Sequence, residues 1–150
     1  MNTTIKKMSF NRREALLAFG ATAVSLAALA GLQAAEHDAH GSGHADNCAQ
    51  ACAACAIQCS KHVRHCTSHL ADGHKDYAKC LELCVGCLQV CTACLGTCYG
   101  PLAAVVAEAC ARVCDDCAAE CEKFAADEAL KSCAKSCREC AKACRALAKA

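Results

Sequence analysis

The chain has 150 residues, of which nineteen are cysteine, one is proline, five are aromatic and none is tryptophan, and its formal charge is +1. This length suits one domain, and a cysteine content of roughly an eighth is typical of disulfide scaffolds and metal–thiolate proteins. The composition therefore argues against a conventional core of large aliphatic side chains.

Residues 1–35 have the three-part organisation of an export signal. Four basic residues lie between positions 6 and 13, and an uncharged run, Ala15–Leu32, follows them. The small residues Ala34 and Ala35 come next, where a signal peptidase can cut. We therefore predict that residues 1–35 form a cleaved signal peptide.

The pair Arg12–Arg13 indicates the export route. It resembles the twin-arginine signal of bacterial export, although Ala15 stands where that pattern usually carries Phe or Leu. An uncleaved membrane anchor is the alternative, since eighteen apolar residues are near the minimum for a bilayer span. The Ala- and Gly-rich run and the lack of a basic flank after Leu32 favour cleavage. We expect export to the periplasm and no membrane contact after signal removal.

Removal of the signal leaves residues 36–150 with a nearly balanced charge. They carry all nineteen cysteines, twelve basic residues and fourteen acidic residues. No basic patch remains to recruit nucleic acid, which argues against that class of partner. Residues 36–46 are polar, contain glycine and include three histidines, so we predict a flexible tail with loose metal affinity at most.

Residues 47–150 are predicted to be helical, because Ala, Glu, Lys, Leu and Cys dominate and turn residues are few. Three breaks interrupt them: Asp72–Gly73, Gly100–Pro101, and Asp127, which is a natural N-cap. The predicted helices lie near residues 46–71, 74–99, 101–126 and 128–149. Short connections between long helices force neighbours to run antiparallel. The predicted fold is all-α, an antiparallel up-down-up-down four-helix bundle.

The cysteines recur with the period of a helix seam. In each predicted helix they are separated by steps of four, three and four residues, which is the a/d spacing of a heptad repeat. In the first helix His62 takes the seam position between Cys59 and Cys66, and in the last helix Leu130 and Leu147 extend the seam. A bundle buries its seam, so we predict a cysteine-lined core. The seam cysteines are Cys48, Cys52, Cys55, Cys59, Cys66, Cys80, Cys84, Cys87, Cys91, Cys94, Cys98, Cys110, Cys114, Cys117, Cys121, Cys133, Cys137, Cys140 and Cys144.

Residues 36–150 contain only eight Leu, six Val, one Ile and one Phe, so something other than large apolar side chains must stabilise the core. Three candidates are disulfide bonds, zinc or an iron–sulfur cluster, and copper. Disulfides are disfavoured by the odd number of cysteines and by rigid helices that aim all thiols along one face. Zinc is disfavoured because each Zn(II) with four thiolates carries a charge of −2, which is costly in a dry interior. The ferredoxin cysteine run is absent from the sequence.

Monovalent copper is the third candidate, and it agrees best with the spacing of the cysteines. Soft thiolates select Cu(I), and cysteines at i and i+4 lie roughly 5–6 Å apart at Cβ, close enough to grip one ion. One Cu(I) neutralises one thiolate, so a core holding on the order of one ion per cysteine stays near neutral.

The four runs of C-x3-C-x2-C-x3-C, at 48–59, 80–91, 110–121 and 133–144, resemble those of the bacterial copper storage proteins. The resemblance implies a cysteine-rich bundle that loads many Cu(I) ions, with the seam cysteines as ligands. It also implies homo-oligomeric assembly and, for some members, export behind a twin-arginine signal. Certain members of the family carry Met or His near the open end of the bundle. No Met lies beyond residue 35, which leaves copper uptake to histidine.

The histidines of the predicted bundle gather at one of its ends. His62, His65, His69 and His74 fall at the end of the first helix and the start of the second. Since imidazole suits copper, we expect this end to be the mouth, with His62 as a seam ligand and His65 and His69 as possible uptake residues. Solvated surface positions are the alternative for His65 and His74.

No motif in the sequence indicates catalysis. Neither a phosphate-binding glycine loop, nor a nucleophile elbow, nor a paired-carboxylate motif occurs. We therefore predict a copper storage protein and not an enzyme. The alternatives are a disulfide-stapled structural or interaction protein and a copper carrier or detoxification protein. No motif identifies the protein that receives the copper.

Overall fold

The computed structural model describes residues 39–150, with side chains from Gly43 onward. The predicted signal peptide, residues 1–35, and the start of the predicted tail lie outside the described residues. Within the described part the chain forms four helices and no strand: α1 (Ala39–Ala71), α2 (Tyr77–Leu95), α3 (Ala103–Cys121) and α4 (Glu128–Ala148).

The four helices form the predicted antiparallel bundle. Each helix packs against the next in the chain, and α4 packs back against α1. The all-α fold predicted from the sequence is confirmed.

Two of the predicted breaks end or begin helices by recognisable local chemistry. Gly73 has a φ of +94°, a conformation that glycine adopts without strain, and it turns the chain between α1 and α2. Asp127 caps α4, because its Oδ1 accepts hydrogen bonds from the backbone N–H groups of Ala129 at 3.0 Å and Leu130 at 3.2 Å.

The helix ends differ from the predicted bounds at several places. α2 ends at Leu95 and α3 at Cys121, four and five residues early, because the chain continues there in tighter turns. α1 begins at Ala39, so residues 39–46 of the predicted flexible tail are helical. Packing explains this early start: Ala45 is buried on the seam, and Asp46 accepts a hydrogen bond of 2.6 Å from the Tyr99 hydroxyl.

The interior of the bundle is built from cysteine and alanine. All nineteen cysteines are buried, and Leu130 and Leu147 are the only leucines among the buried residues of the described chain. Small neighbours such as Ala107, Ala111 and Ala118 fill the remaining core positions. The predicted cysteine-lined seam is therefore present on all four helices.

By length and composition α2 is apolar enough to cross a membrane, with a mean hydropathy of 1.5. A core helix meets the same description. The five buried residues of α2 are all cysteines, and they face the interior of the bundle.

Candidate metal centre

The nineteen thiols form one buried array along the bundle axis. All nineteen are free and buried. Neighbouring Sγ atoms lie between 3.5 Å, for Cys48 and Cys144, and 4.0 Å, for Cys55 and Cys59. These contacts join facing helices as well as successive turns of one helix, because the heptad spacing aims every cysteine at the axis.

The sulfur atoms gather in groups of four that have the geometry of metal sites. In each group the four Sγ atoms lie within 4.8 Å of one another and are buried. Such groups include Cys48, Cys52, Cys94 and Cys144; Cys52, Cys110, Cys140 and Cys144; Cys55, Cys59, Cys87 and Cys137; Cys55, Cys91, Cys114 and Cys140; and Cys59, Cys117, Cys133 and Cys137.

Adjacent groups share cysteines. Cys52 and Cys144 belong to two groups at one end, and Cys59 and Cys137 belong to two groups further along. A sulfur that serves two groups can bridge two ions. The arrangement therefore fits a polynuclear thiolate cluster better than a set of separate mononuclear sites.

Burial acts to raise the pKa of the thiols in the array and so favours their neutral form in the metal-free protein, while hydrogen bonding between thiols raises the pKa of some and lowers that of others, such as Cys87. Hydrogen bonding to Cys110 and burial both raise the pKa of Cys91 far above its ordinary value. Hydrogen bonding to Cys117 and burial do the same for Cys137. Because a buried thiolate is costly without a counter-charge, a metal ion that binds these sulfurs must displace their protons.

His62 lies in the sulfur array, at the seam position expected from the sequence. Only 4% of its surface is exposed, and its Nδ1 donates a 2.6 Å hydrogen bond to the carbonyl oxygen of Gln58. In the neutral ring this bond leaves the Nε2 lone pair for a metal ion, and in the protonated ring the ion must displace the Nε2 proton. A hydrogen bond with Cys133 is the largest influence on the ring and raises the pKa of His62 to about 9.

The other histidines of α1 form a cluster with aromatic residues at the same end of the bundle. His65 Nε2 donates a 2.7 Å hydrogen bond to Asp127 Oδ2, and His69 stacks on Tyr77 with ring centroids 4.2 Å apart. The Tyr77 hydroxyl donates to the same Asp127 oxygen at 3.1 Å. We call the group His65, His69, His74, Tyr77 and Asp127 the histidine pole.

One atom of the histidine pole has no hydrogen-bond partner among the described residues. The Nδ1 atom of His69 is shielded from solvent and accepts no hydrogen bond. A buried polar atom without a partner is costly, and binding of a water molecule or a metal ion is one way to satisfy it. The His65 and His69 rings lie with their centroids 4.6 Å apart.

Sequence reasoning identified Asp127 only as a helix cap and did not identify Tyr77. Asp127 and Tyr77 are brought together by the topology of the bundle. An antiparallel bundle places the start of α4 and the start of α2 beside the end of α1, where His65 and His69 lie. Reading charged and aromatic residues at these three helix ends together would have predicted the cluster.

The opposite end of the bundle is built differently. Cys98 is 2% exposed and donates through its thiol to the carbonyl oxygen of Cys94 at 3.0 Å. His44 is exposed at this end, and Ala45 takes the seam position beside it. The end with the histidine pole therefore has imidazole groups close to the sulfur array, whereas His44 at the opposite end is exposed.

Comparison with known proteins places these features in context. A family model described as copper storage protein matches residues 100–149. The chain is 28% identical to apo copper storage protein 3 from Bacillus subtilis, over 69% of this chain and 97% of that one, with a TM-score of 0.60. No curated relative matches the chain.

Two further solved structures have a similar fold. One is the Cu(I)-bound copper storage protein BsCsp3, which is 25% identical over 70% of this chain and 98% of that chain, with a TM-score of 0.64. The other is the Nmul_A1745 protein from Nitrosospira multiformis, 27% identical over 72% of this chain and 97% of that chain, with a TM-score of 0.61.

Proposed function

We propose that the chain is a member of the copper storage protein family, whose model matches residues 100–149, and that it stores many Cu(I) ions through cysteine thiolates inside its bundle. The observation that carries this proposal is the continuous array of nineteen buried, free thiols. A carrier that moves one or two ions needs an exposed site, whereas these sulfurs are enclosed.

The spacing of the sulfurs suits Cu(I) coordination. With a metal–sulfur bond of about 2.3 Å, an ion bound to three sulfurs holds them about 4 Å apart. The closest Sγ pairs of the array lie 3.5–4.0 Å apart. Each ion that replaces a thiol proton leaves the interior neutral, so loading can continue to the order of one ion per cysteine.

An anaerobic titration of the fully reduced protein with Cu(I), against a competing chromophoric chelator, tests the storage function. We expect an endpoint of many ions per chain, approaching one per cysteine. A plateau at one to four ions would contradict storage and would favour a carrier.

We further propose that copper passes through the histidine pole on its way to the sulfur array. His65 and His69 are the uptake residues in this proposal, and His62 is a ligand that links them to the thiols. The proposal is supported by the buried position of His62 beside Cys133 and by the unpartnered Nδ1 of His69. Imidazole nitrogens bind copper without adding charge, so they suit a relay into an apolar interior.

Storage is a binding function, and we propose that the protein is not an enzyme. We also propose periplasmic localisation through the twin-arginine-type signal of residues 1–35, and homo-oligomeric assembly. Cell fractionation of an Arg12→Lys, Arg13→Lys variant tests the export route, since loss of the twin arginines should retain the protein in the cytoplasm. Light scattering of the purified protein tests the oligomer.

A further inference from the structure

The donors of the histidine pole differ in kind from those of the sulfur array. His65 and His69 offer imidazole nitrogen, with ring centroids 4.6 Å apart, and Asp127 offers a carboxylate that accepts a hydrogen bond from His65 Nε2. Nitrogen and oxygen donors accept Cu(II) as readily as Cu(I), whereas the thiolates select Cu(I). The pole can therefore hold a copper ion in an oxidation state that the array behind it does not store.

A close pair of thiols from two different helices lies near the pole, where Cys66 is close enough to His65 and Tyr77 for their charges to interact. Cys66 is the last cysteine of α1, Cys80 is the first of α2, and their Sγ atoms are 3.6 Å apart. Cys66 follows His65 in sequence and precedes His69 by one helical turn. A further contact of 3.7 Å connects Cys80 to Cys121, so the pair is also joined to the deeper array.

We propose that Cys66 and Cys80 reduce Cu(II) held at the histidine pole, so that copper arriving in the cupric state enters the array as Cu(I). Two Cu(II) ions each accept one electron. The two S–H bonds break, one S–S bond forms between Cys66 and Cys80, and two protons leave to solvent. The step oxidises the pair once, and the pair reacts again only after two equivalents of a low-molecular-weight thiol have reduced it by thiol–disulfide exchange and formed their own disulfide.

The geometry favours this pair for two reasons. First, a disulfide requires the two sulfurs to move from 3.6 Å to about 2.05 Å apart. The helix ends that carry Cys66 and Cys80 can make this small adjustment, because the connection between α1 and α2 is exposed. Second, the Cu(I) produced lies next to thiols that bind it strongly, and this binding draws the reaction forward. The inference rests on the uptake route proposed above, while storage of Cu(I) does not depend on it.

The test adds two equivalents of aqueous Cu(II) to the fully reduced, metal-free protein without oxygen. The Cu(II) signal in electron paramagnetic resonance should disappear as one disulfide forms per two ions. Differential alkylation and peptide mass mapping should place that disulfide at Cys66–Cys80. The Cys48–Cys144 pair, with Sγ atoms 3.5 Å apart at the other end of the bundle, is the internal control. We expect the first pair to be oxidised at least tenfold more often.

A second measurement uses variants of the reducing pair. Cys66→Ser and Cys80→Ser should each slow Cu(II) loss at least tenfold, provided that circular dichroism shows the same helicity as the unmodified protein. A persistent Cu(II) signal in the unmodified protein, or equal oxidation of the two pairs, would overturn the inference. A protein that takes up many Cu(I) ions and leaves Cu(II) unreduced would refute cupric reduction alone, whereas a Cu(I) endpoint of one to four ions would refute storage.

Discussion

Replacement of Asp127 separates two roles that this residue combines. Its Oδ1 caps α4 through the backbone N–H groups of Ala129 and Leu130, and its Oδ2 accepts hydrogen bonds from His65 and Tyr77. Loss of the cap costs about 1 kcal/mol, and loss of two further hydrogen bonds costs about 1–2 kcal/mol. We expect Asp127→Ala to lower the free energy of unfolding of the metal-free protein by about 2–3 kcal/mol, or roughly 10 °C in Tm.

The Asp127→Asn variant should behave differently, because asparagine is an equally good cap. Its carbonyl oxygen can occupy the capping position, which leaves the amide NH2 facing His65. That group donates to Nε2 and moves the imidazole proton to Nδ1, so the lone pair available to copper is lost. We therefore expect a stability loss of only about 1 kcal/mol but slower Cu(I) loading, as in Asp127→Ala.

Urea denaturation followed by circular dichroism, together with stopped-flow Cu(I) loading, distinguishes the two roles. Glu128→Gln is the matched control, since Glu128 is the adjacent, exposed residue of the first turn and pairs only with Lys131. This control should change stability by less than about 0.5 kcal/mol. Equal stability losses in the Ala and Asn variants would refute the capping argument. Loading at the unmodified rate in both variants would refute the positioning of His65.

The stabilising bonds of Asp127 also have a definite dependence on pH. Burial acts to raise the pKa of this carboxyl group, but hydrogen bonds from His65, the Leu130 N–H and Tyr77 lower it overall. A lowered pKa means that the folded state favours the ionised form. The contribution is present at neutral pH and is lost as the pH falls below about 4. The stability difference between the unmodified protein and Asp127→Ala should therefore narrow in acid.

Three further predictions concern copper loading. His62→Ala should slow uptake in stopped-flow measurements and leave the titration endpoint nearly intact, because one nitrogen is lost among nineteen sulfurs; unchanged kinetics would contradict the relay. Since hydrogen bonding to Cys110 and burial raise the pKa of Cys91, an ion that binds this thiol should release its proton to an indicator dye, and the apparent affinity should fall as the pH is lowered. Circular dichroism should show high helicity with and without metal, with a higher Tm when loaded; a random-coil spectrum of the metal-free protein would contradict this.

The fold and the sulfur array could be predicted from the sequence because the same heptad spacing of the cysteines determines both. Steps of four and three residues place cysteines on a single face of each helix, and a bundle has only one place for such a face. Leu130 and Leu147 continue that period, and both are buried as expected. The Asp127 cap was also predictable, since it depends on residues adjacent in the chain.

The helix ends and the histidine pole depend on contacts that no local pattern encodes. Residues 39–46 are polar and contain glycine, yet they are helical where Asp46 meets Tyr99, fifty-three positions away. The bond between His65 and Asp127 joins residues sixty-two positions apart. Such pairs follow from the antiparallel arrangement and from side-chain reach, so they become visible only when the four helices are assembled.

The use of cysteine as the core residue links stability to storage. A thiol is a small hydrophobe, so nineteen of them bury less apolar surface than leucines at the same positions would. Leucines would stabilise the empty bundle and would fill the space in which the ions must lie. The metal-free protein is therefore less stable than a leucine-filled bundle of the same length would be. Ions bound by cysteines from several helices cross-link these helices and raise the stability of the folded state. Stability and storage capacity compete for the same seam positions, which accounts for a core in which Leu130 and Leu147 lie outside the cysteine runs of α4.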